Sequence, residues 1–386
     1  MDLPPIPTVR NLESISPSFY NAALLCKARA AWQQFGARET LPASSGSILG
    51  SCFHAVMEMG NQGRLPSGEE GIRQAKAAFD EEAARRFADA HPLIRSKFAS
   101  PEKLPFFFGR RARAITLAVQ ASASAVARST NRQGIASSEP AERARLVEQT
   151  LYSGDRLIKG RIDLWEKSSA TVSDYKSGQE PKNTPSGVTE NEVRQLRLYV
   201  HLILENGYTA TKAAIVRGDG RKSEIEVSPA GATQEGQAAR QTLAQFNEAV
   251  SRGQSFFAVA SPSPTNCASC PCIALCNPFW QAARPEWEEH CGTNIEGEIA
   301  ESRDITFAGA PLRTLHLKSC KGSAPTGDLV VEQIPLAWLS IGSTVPSVGS
   351  IVRVVSAARA ISDTDSRVLQ VDRIKSTAIW NAPARQ

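Results

Sequence analysis

The chain has no run of about 18 apolar residues, so it carries no candidate membrane-spanning helix. Its start, Met1-Asp2-Leu3-Pro4-Pro5, lacks the basic segment and apolar core of a secretory leader, and the protein is expected in the cytoplasm. No Gly-x-x-x-x-Gly-Lys-Ser/Thr phosphate loop occurs, which excludes an ATPase motor of that type. Internal repeats and long low-complexity segments are also absent. Eight cysteines are present, but a reducing compartment keeps thiols free, so their spacing carries more information than their number.

With 386 residues the chain is long enough for two or three domains. Its net charge of +5 is unevenly spread. Residues 1–150 hold 19 Lys/Arg against 14 Asp/Glu, whereas residues 151–290 hold 15 against 16 and residues 291–386 hold 10 against 9. A basic surplus in the first third can attract phosphates or can simply solvate helix faces.

Helices are expected over Ser14–Gly36 (Ser16 as N-cap, Pro17 in the first turn), Ile48–Gly60, Glu69–Ala90 and Lys103–Arg128, with a polar loop over 129–142. Short strands follow at Ala144–Leu151, Leu157–Glu166 and Ala170–Tyr175, then a helix over Glu190–Glu205. Strands at Ala210–Val216 and Ser223–Val227 and a helix over Thr233–Gly253 complete this part. After Cys291 five strands are expected: Ile295–Ala300, Leu312–Lys318, Gly327–Gln333, Ser350–Ala358 and Val368–Ile374. Turn residues separate them, among them Ser362-Asp363-Thr364-Asp365. Five short strands in this space fit a small barrel of the OB type.

The chemistry concentrates in Lys159-Gly160-Arg161-Ile162-Asp163-Leu164-Trp165 and Ser173-Asp174-Tyr175-Lys176-Ser177-Gly178. Side chains at i and i+2 of a strand share a face, so Asp174 and Lys176 stand side by side, with Asp163 one strand away. Two carboxylates can hold a divalent cation through hard oxygen ligands, and a lysine beside them can orient or deprotonate a water. That combination is suited to phosphodiester hydrolysis. Glu58 lies one turn beyond His54 and Glu166 three residues beyond Asp163; neither is assigned to the site.

The order of Gly50-Ser51-Cys52-Phe53-His54, Gly160-Arg161-Ile162-Asp163, Asp174-Tyr175-Lys176 and Gln195-Leu196-Arg197-Leu198-Tyr199 resembles the PD-(D/E)XK nuclease superfamily. Within it, the resemblance is to the RecB-type branch, which includes CRISPR-associated exonucleases with a cysteine cluster. It covers roughly residues 14–280 and implies an α/β restriction-endonuclease-like core. The resemblance implies that His54, Asp163 and Asp174, with the backbone carbonyl of Tyr175, coordinate Mg²⁺ or Mn²⁺. Imidazole among oxygens tilts such a site towards Mn²⁺. It implies that Lys176 positions the attacking water, and that Gln195 and Tyr199, one helical turn apart, contact the substrate strand.

Cys267-x₂-Cys270-x₅-Cys276 is a metal-type spacing, with Cys272 as an extra candidate. Spacing alone leaves a [4Fe–4S] cluster and a structural Zn²⁺ open. The resemblance favours the cluster, with Cys26 as fourth ligand, tying the first helix to a segment about 240 residues later. Many relatives have proline after the first cysteine, where this chain has Lys27. Cys52, Cys291 and Cys320 read as small buried hydrophobes.

Two domains are therefore expected: 1–290, a nuclease domain with a helical insertion at about 60–140, and 291–386, an OB-like barrel whose candidate exposed aromatics are Phe307, Trp338 and Trp380. The expected activity is metal-dependent DNA hydrolysis on single strands or duplex ends. A protein partner such as a helicase would supply the missing motor, and no membrane is involved. The alternatives are a catalytically silent DNA-binding scaffold subunit and an RNA-directed nuclease.

Overall fold

The computed structural model describes residues 1–37, 41–132, 144–178, 184, 187–342, 345–359, 367–371 and 377–382. The chain opens with α1 (Pro17–Leu25), capped by the Ser16 hydroxyl, which accepts from the Phe19 amide. The single helix expected over Ser14–Gly36 is instead two. Cys26 is extended (φ −159°, ψ 119°) and separates α1 from α2 (Lys27–Phe35). The break has no glycine or proline to announce it. It turns the chain so that the Cys26 sulfur accepts from the Ser261 amide at 3.5 Å, across 235 residues of sequence.

A helical group follows: α3 (Ser45–Asn61), α4 (Glu69–Ala88), α5 (Pro92–Lys97) and α6 (Phe107–Arg132). Phe53, Phe79 and Phe107 fill its core, and Phe79 and Phe107 meet edge to face at 5.6 Å. Helices α3 and α6 cross closely at Gly60, where a Cβ would come within 2.3 Å of the Ala118 carbonyl oxygen. The loop expected over 129–142 begins later, because α6 runs to Arg132; residues 133–142 lie outside the described residues.

The first sheet contains β1 (Arg145–Tyr152), β2 (Lys159–Glu166), β3 (Thr171–Lys176), β4 (Lys212–Arg217) and β5 (Lys222–Glu226), in that order. Neighbours are antiparallel except β3 and β4, which run parallel and are joined through α7 (Glu190–Glu205). A capping box of Thr189 and Glu192 starts α7 at the residue expected from sequence. Its apolar face, including Leu196, Val200 and Ile203, is fully buried. The long helix α8 (Pro229–Ser251) packs beside it, and Phe19 of α1 meets Phe246 edge to face at 5.1 Å.

Among its described residues the last part holds six strands rather than five: β6 (Thr293–Phe307), β7 (Ala310–Gly322), β8 (Gly327–Pro335), β9 (Ile351–Arg359), β10 (Val368–Gln370) and β11 (Ala378–Asn381). Strand β10 pairs in parallel with β8 and antiparallel with β9, while β6 pairs with β7 and β9 and β7 with β8. Followed from β6, these pairings return to β6 through β7, β8, β10 and β9. Strand β11 adds to β9, and Asp2 bridges to Asn381 beside it. The expected 362–365 turn and the end of the expected 368–374 strand fall outside the described residues.

One buried hydrophobic cluster runs from Ile15 and Phe19 to Ile379 and Trp380, so the two sheets share a core. Arg353 of β9 ties the second sheet to the cysteine-bearing segment before it. Its buried guanidinium donates to Glu296 at 2.8 Å, to the Ala274 carbonyl at 2.8 Å and to Asn277 at 2.9 Å. Of the three aromatics expected at this surface, only Phe307 is exposed; Trp338 and Trp380 are buried.

Candidate metal centre

Three side chains from three elements converge. His54 comes from α3, Glu148 from β1 and Asp163 from β2, and one ligand-type atom from each lies within 4.8 Å of the others. His54 Nδ1 is 3.8 Å from Asp163 Oδ2 and 4.0 Å from Glu148 Oε1. The sheet itself sets this up. Val147 pairs with Leu164 and Gln149 with Ile162, which places Glu148 opposite Asp163. Glu148 also has φ +49°, a left-handed conformation that costs a non-glycine residue of order 1–3 kcal/mol. Its Oε1 is buried with no hydrogen-bond partner, while Oε2 takes a 2.8 Å contact from Arg161. A buried carboxylate oxygen without a partner, beside a second carboxylate and an imidazole, is a donor set that fits a divalent cation.

Asp163 is held in place by the Tyr175 amide, which donates to Oδ2 at 2.7 Å. Burial, and then the charge of Asp174, push the Asp163 carboxyl up to about 7. Burial likewise raises Asp174, against the opposing pull of Lys176. For His54, burial alone would lower the pKa, but Glu148, Asp163 and Asp174 outweigh it and raise it. These shifts describe acids crowded together without enough positive charge, a deficit that a cation relieves.

Asp174 lies beside these residues on the same sheet, in contact with Lys176 and Gln195. It is 2% exposed, with Lys176 Nζ at 2.8 Å from Oδ2 and Gln195 Nε2 at 2.8 Å from Oδ1. Gln195 accepts from Lys176 at 3.1 Å through its carbonyl oxygen, and its amide also lies 2.8 Å from the buried Tyr199 hydroxyl. Of the two α7 residues expected to touch substrate, Gln195 bonds both Asp174 and Lys176, and Tyr199 bonds Gln195.

The centre opens into a cavity of about 640 Å³, floored by Gly46, Ser47, Gly50 and Ser51 of α3. Arg161 stands at its wall, 3.4 Å from Glu58 as well as touching Glu148. Glu58, set aside on sequence grounds, therefore lines the cavity, whereas Glu166 is engaged away from it by Arg145 at 3.3 Å. Glu148 was missed altogether. The signal for it was the register: two antiparallel strands around the Ser153-Gly154-Asp155 turn put position 148 opposite 163.

The cysteines form a second assembly. Cys270 and Cys272 have sulfurs 3.4 Å apart, and this contact lowers the Cys270 thiol to about 7, whereas burial pushes Cys267 and Cys276 up to about 12. Cys26 faces Cys272 and Cys276 electrostatically from the helix break. Among the described residues no three sulfurs come within 4.8 Å of one another. A single tetrahedral zinc would draw its sulfurs to roughly 3.8 Å. Cys52 and Cys320 are buried as expected; Cys291 is only half-buried and packs against the cluster that contains Cys267 and Cys276, donating to the Pro264 carbonyl at 3.3 Å.

Comparison with known proteins agrees with this architecture. Residues 14–277 match the model of the PD-(D/E)XK nuclease superfamily, and the chain belongs to that superfamily. The solved structure of SSO0001 is similar at 17% identity, with 45% of this chain and 78% of that one covered and a TM-score of 0.22, a likeness on which nothing here rests. No curated protein matches the chain. The family suggests a metal-dependent nuclease, and the described residues contain a candidate site for the metal. No described helix is long and apolar enough to cross a membrane.

Proposed function

We propose that the protein is a Mg²⁺- or Mn²⁺-dependent deoxyribonuclease. The observation that carries this is the convergence of His54, Glu148 and Asp163 beside the braced Asp174–Lys176 pair. His54, Asp163 and Glu148 hold the ion, and the imidazole favours Mn²⁺ over a site made of oxygens alone. When bound, a divalent cation polarises the scissile phosphate and makes water a competent nucleophile at neutral pH. Lys176 orients that water and offsets charge developing on the phosphate. We assign Asp174 mainly to holding the Lys176 ammonium, with Gln195 fixing both. Asp174 and the Tyr175 carbonyl remain candidates for further ligands from β3.

The cysteines are proposed to bind a [4Fe–4S] cluster through Cys26, Cys267, Cys270 and Cys276. Supporting this, they approach from two segments far apart in sequence, within an apolar shell that includes Phe279 and Trp280. Cys272 and Cys291 stand close enough to substitute for a ligand. The returning ring of pairings β6–β7–β8–β10–β9, with its one parallel pair, supports an OB-type barrel at residues 291–386. Because the sequence holds no phosphate loop, processive action would take its motor from a partner such as a helicase.

The test is cleavage of end-labelled DNA with Mn²⁺ or Mg²⁺, with RNA in parallel. Wild type should cut DNA and stop on addition of a chelator. Asp174→Ala and Lys176→Ala should each lose on the order of a hundredfold or more. Activity of both variants equal to wild type would overturn the assignment, and cutting of RNA alone would overturn the substrate.

A further inference from the structure

The start of α6 carries an exposed aromatic step. Phe106 is 76% exposed and Phe108 60%, while Phe107 between them is buried in the helical core. Phe106 also has φ +67°, a conformation that bulky side chains avoid. It stands at the head of α6, whose Arg110 and Arg113, three residues apart, form a stripe on one helix face; the Arg110 amide donates to the Phe106 carbonyl at 3.0 Å.

The stripe flanks the cavity. Arg110 donates to the carbonyl of Gly46, a floor residue, at 3.2 Å. Further along the same helix, Leu117 sits under the β4–β5 turn at Gly220, and Gly218 of that turn abuts Ser177, another residue of the cavity wall. Burial, and then the like charge of Arg113, lower the Arg110 pKa, and no acid offsets them. The second aromatic, Phe108, has Arg111 over its ring at 5.2 Å.

We infer that Phe106, Arg110 and Arg113 form the entry surface for a single strand of nucleic acid, with an unpaired base stacked on Phe106 and phosphates against the two arginines. An exposed ring at the head of a helix that carries two arginines matches the way single strands are held, by stacking and backbone attraction. A duplex would keep its bases from the ring. The inference rests on the nuclease reading for its purpose but not for its observable.

The experiment is fluorescence anisotropy of a labelled dT 20-mer with the full chain in chelator, where no cleavage occurs. Phe106→Ala should weaken binding about tenfold and Phe106→Trp should restore it. Arg113→Gln should lower the slope of log affinity against log salt by about 0.7. Phe106→Ala binding as wild type overturns the entry surface, even where the wild-type enzyme cuts DNA. If Phe106 governs binding while the wild type hydrolyses nothing, the surface stands and the nuclease reading falls. A surface that ignores the strand altogether would be left for a protein partner, and that result also overturns the inference.

Discussion

The acid centre and the cysteine assembly are built in opposite ways. At the acid centre the ligand atoms of His54, Glu148 and Asp163 lie within 4.8 Å of each other, because strand register, an amide from Tyr175 and a left-handed Glu148 fix them. At the cysteines no three sulfurs come within 4.8 Å of one another among the described residues, and the residues sit on loops, short helical turns and a helix break. A scaffold of hydrogen-bonded strands can hold repelling charges together before an ion arrives, whereas a loop cluster needs its bound group to define it. The first arrangement is suited to chemistry and the second to stapling distant segments.

This contrast can be broken by mutation. The largest effect should be Lys176→Ala, which removes the braced cation and lowers cleavage by roughly a hundredfold to a thousandfold, read from initial rates. Next, Cys276→Ser should act on stability. It should lower stability by several kcal/mol, of order ~3, seen as an earlier thermal transition and loss of visible absorbance after anaerobic purification. A colourless protein holding only zinc would contradict the cluster. The smallest effect is the sharpest. Asp163→Asn relieves crowding among the acids, so without divalent cation it should melt about 2 °C above wild type. With Mn²⁺ the order should invert, because the variant loses a ligand.

Much of the first half of the molecule was legible in the sequence. Helix α7 spans the Glu190–Glu205 expected from sequence, and β2 and β3 carry Asp163, Asp174 and Lys176 as expected. What stayed hidden depended on contacts distant in sequence or on backbone without a marker residue. The break at Cys26 occurs in a helical-looking run and coincides with a contact to Ser261, far along the chain. Strand β11 is four residues long and is completed by the chain's own start, where the Met1 amine donates to the Ile379 carbonyl at 3.2 Å. Trp338 and Trp380 read as surface aromatics in a short β region, yet they close the core that joins the sheets. Glu148 meets Asp163 through the β1–β2 register, which is read only once the turn joining those strands is placed.

The most direct test of the central claim is a titration of Mn²⁺ followed by electron paramagnetic resonance on wild type, Glu148→Gln and Asp163→Asn. The prediction is a tight ion in wild type and a loss of affinity on the order of tenfold or more in each variant. Equal Mn²⁺ affinity in all three proteins would contradict a centre made by His54, Glu148 and Asp163.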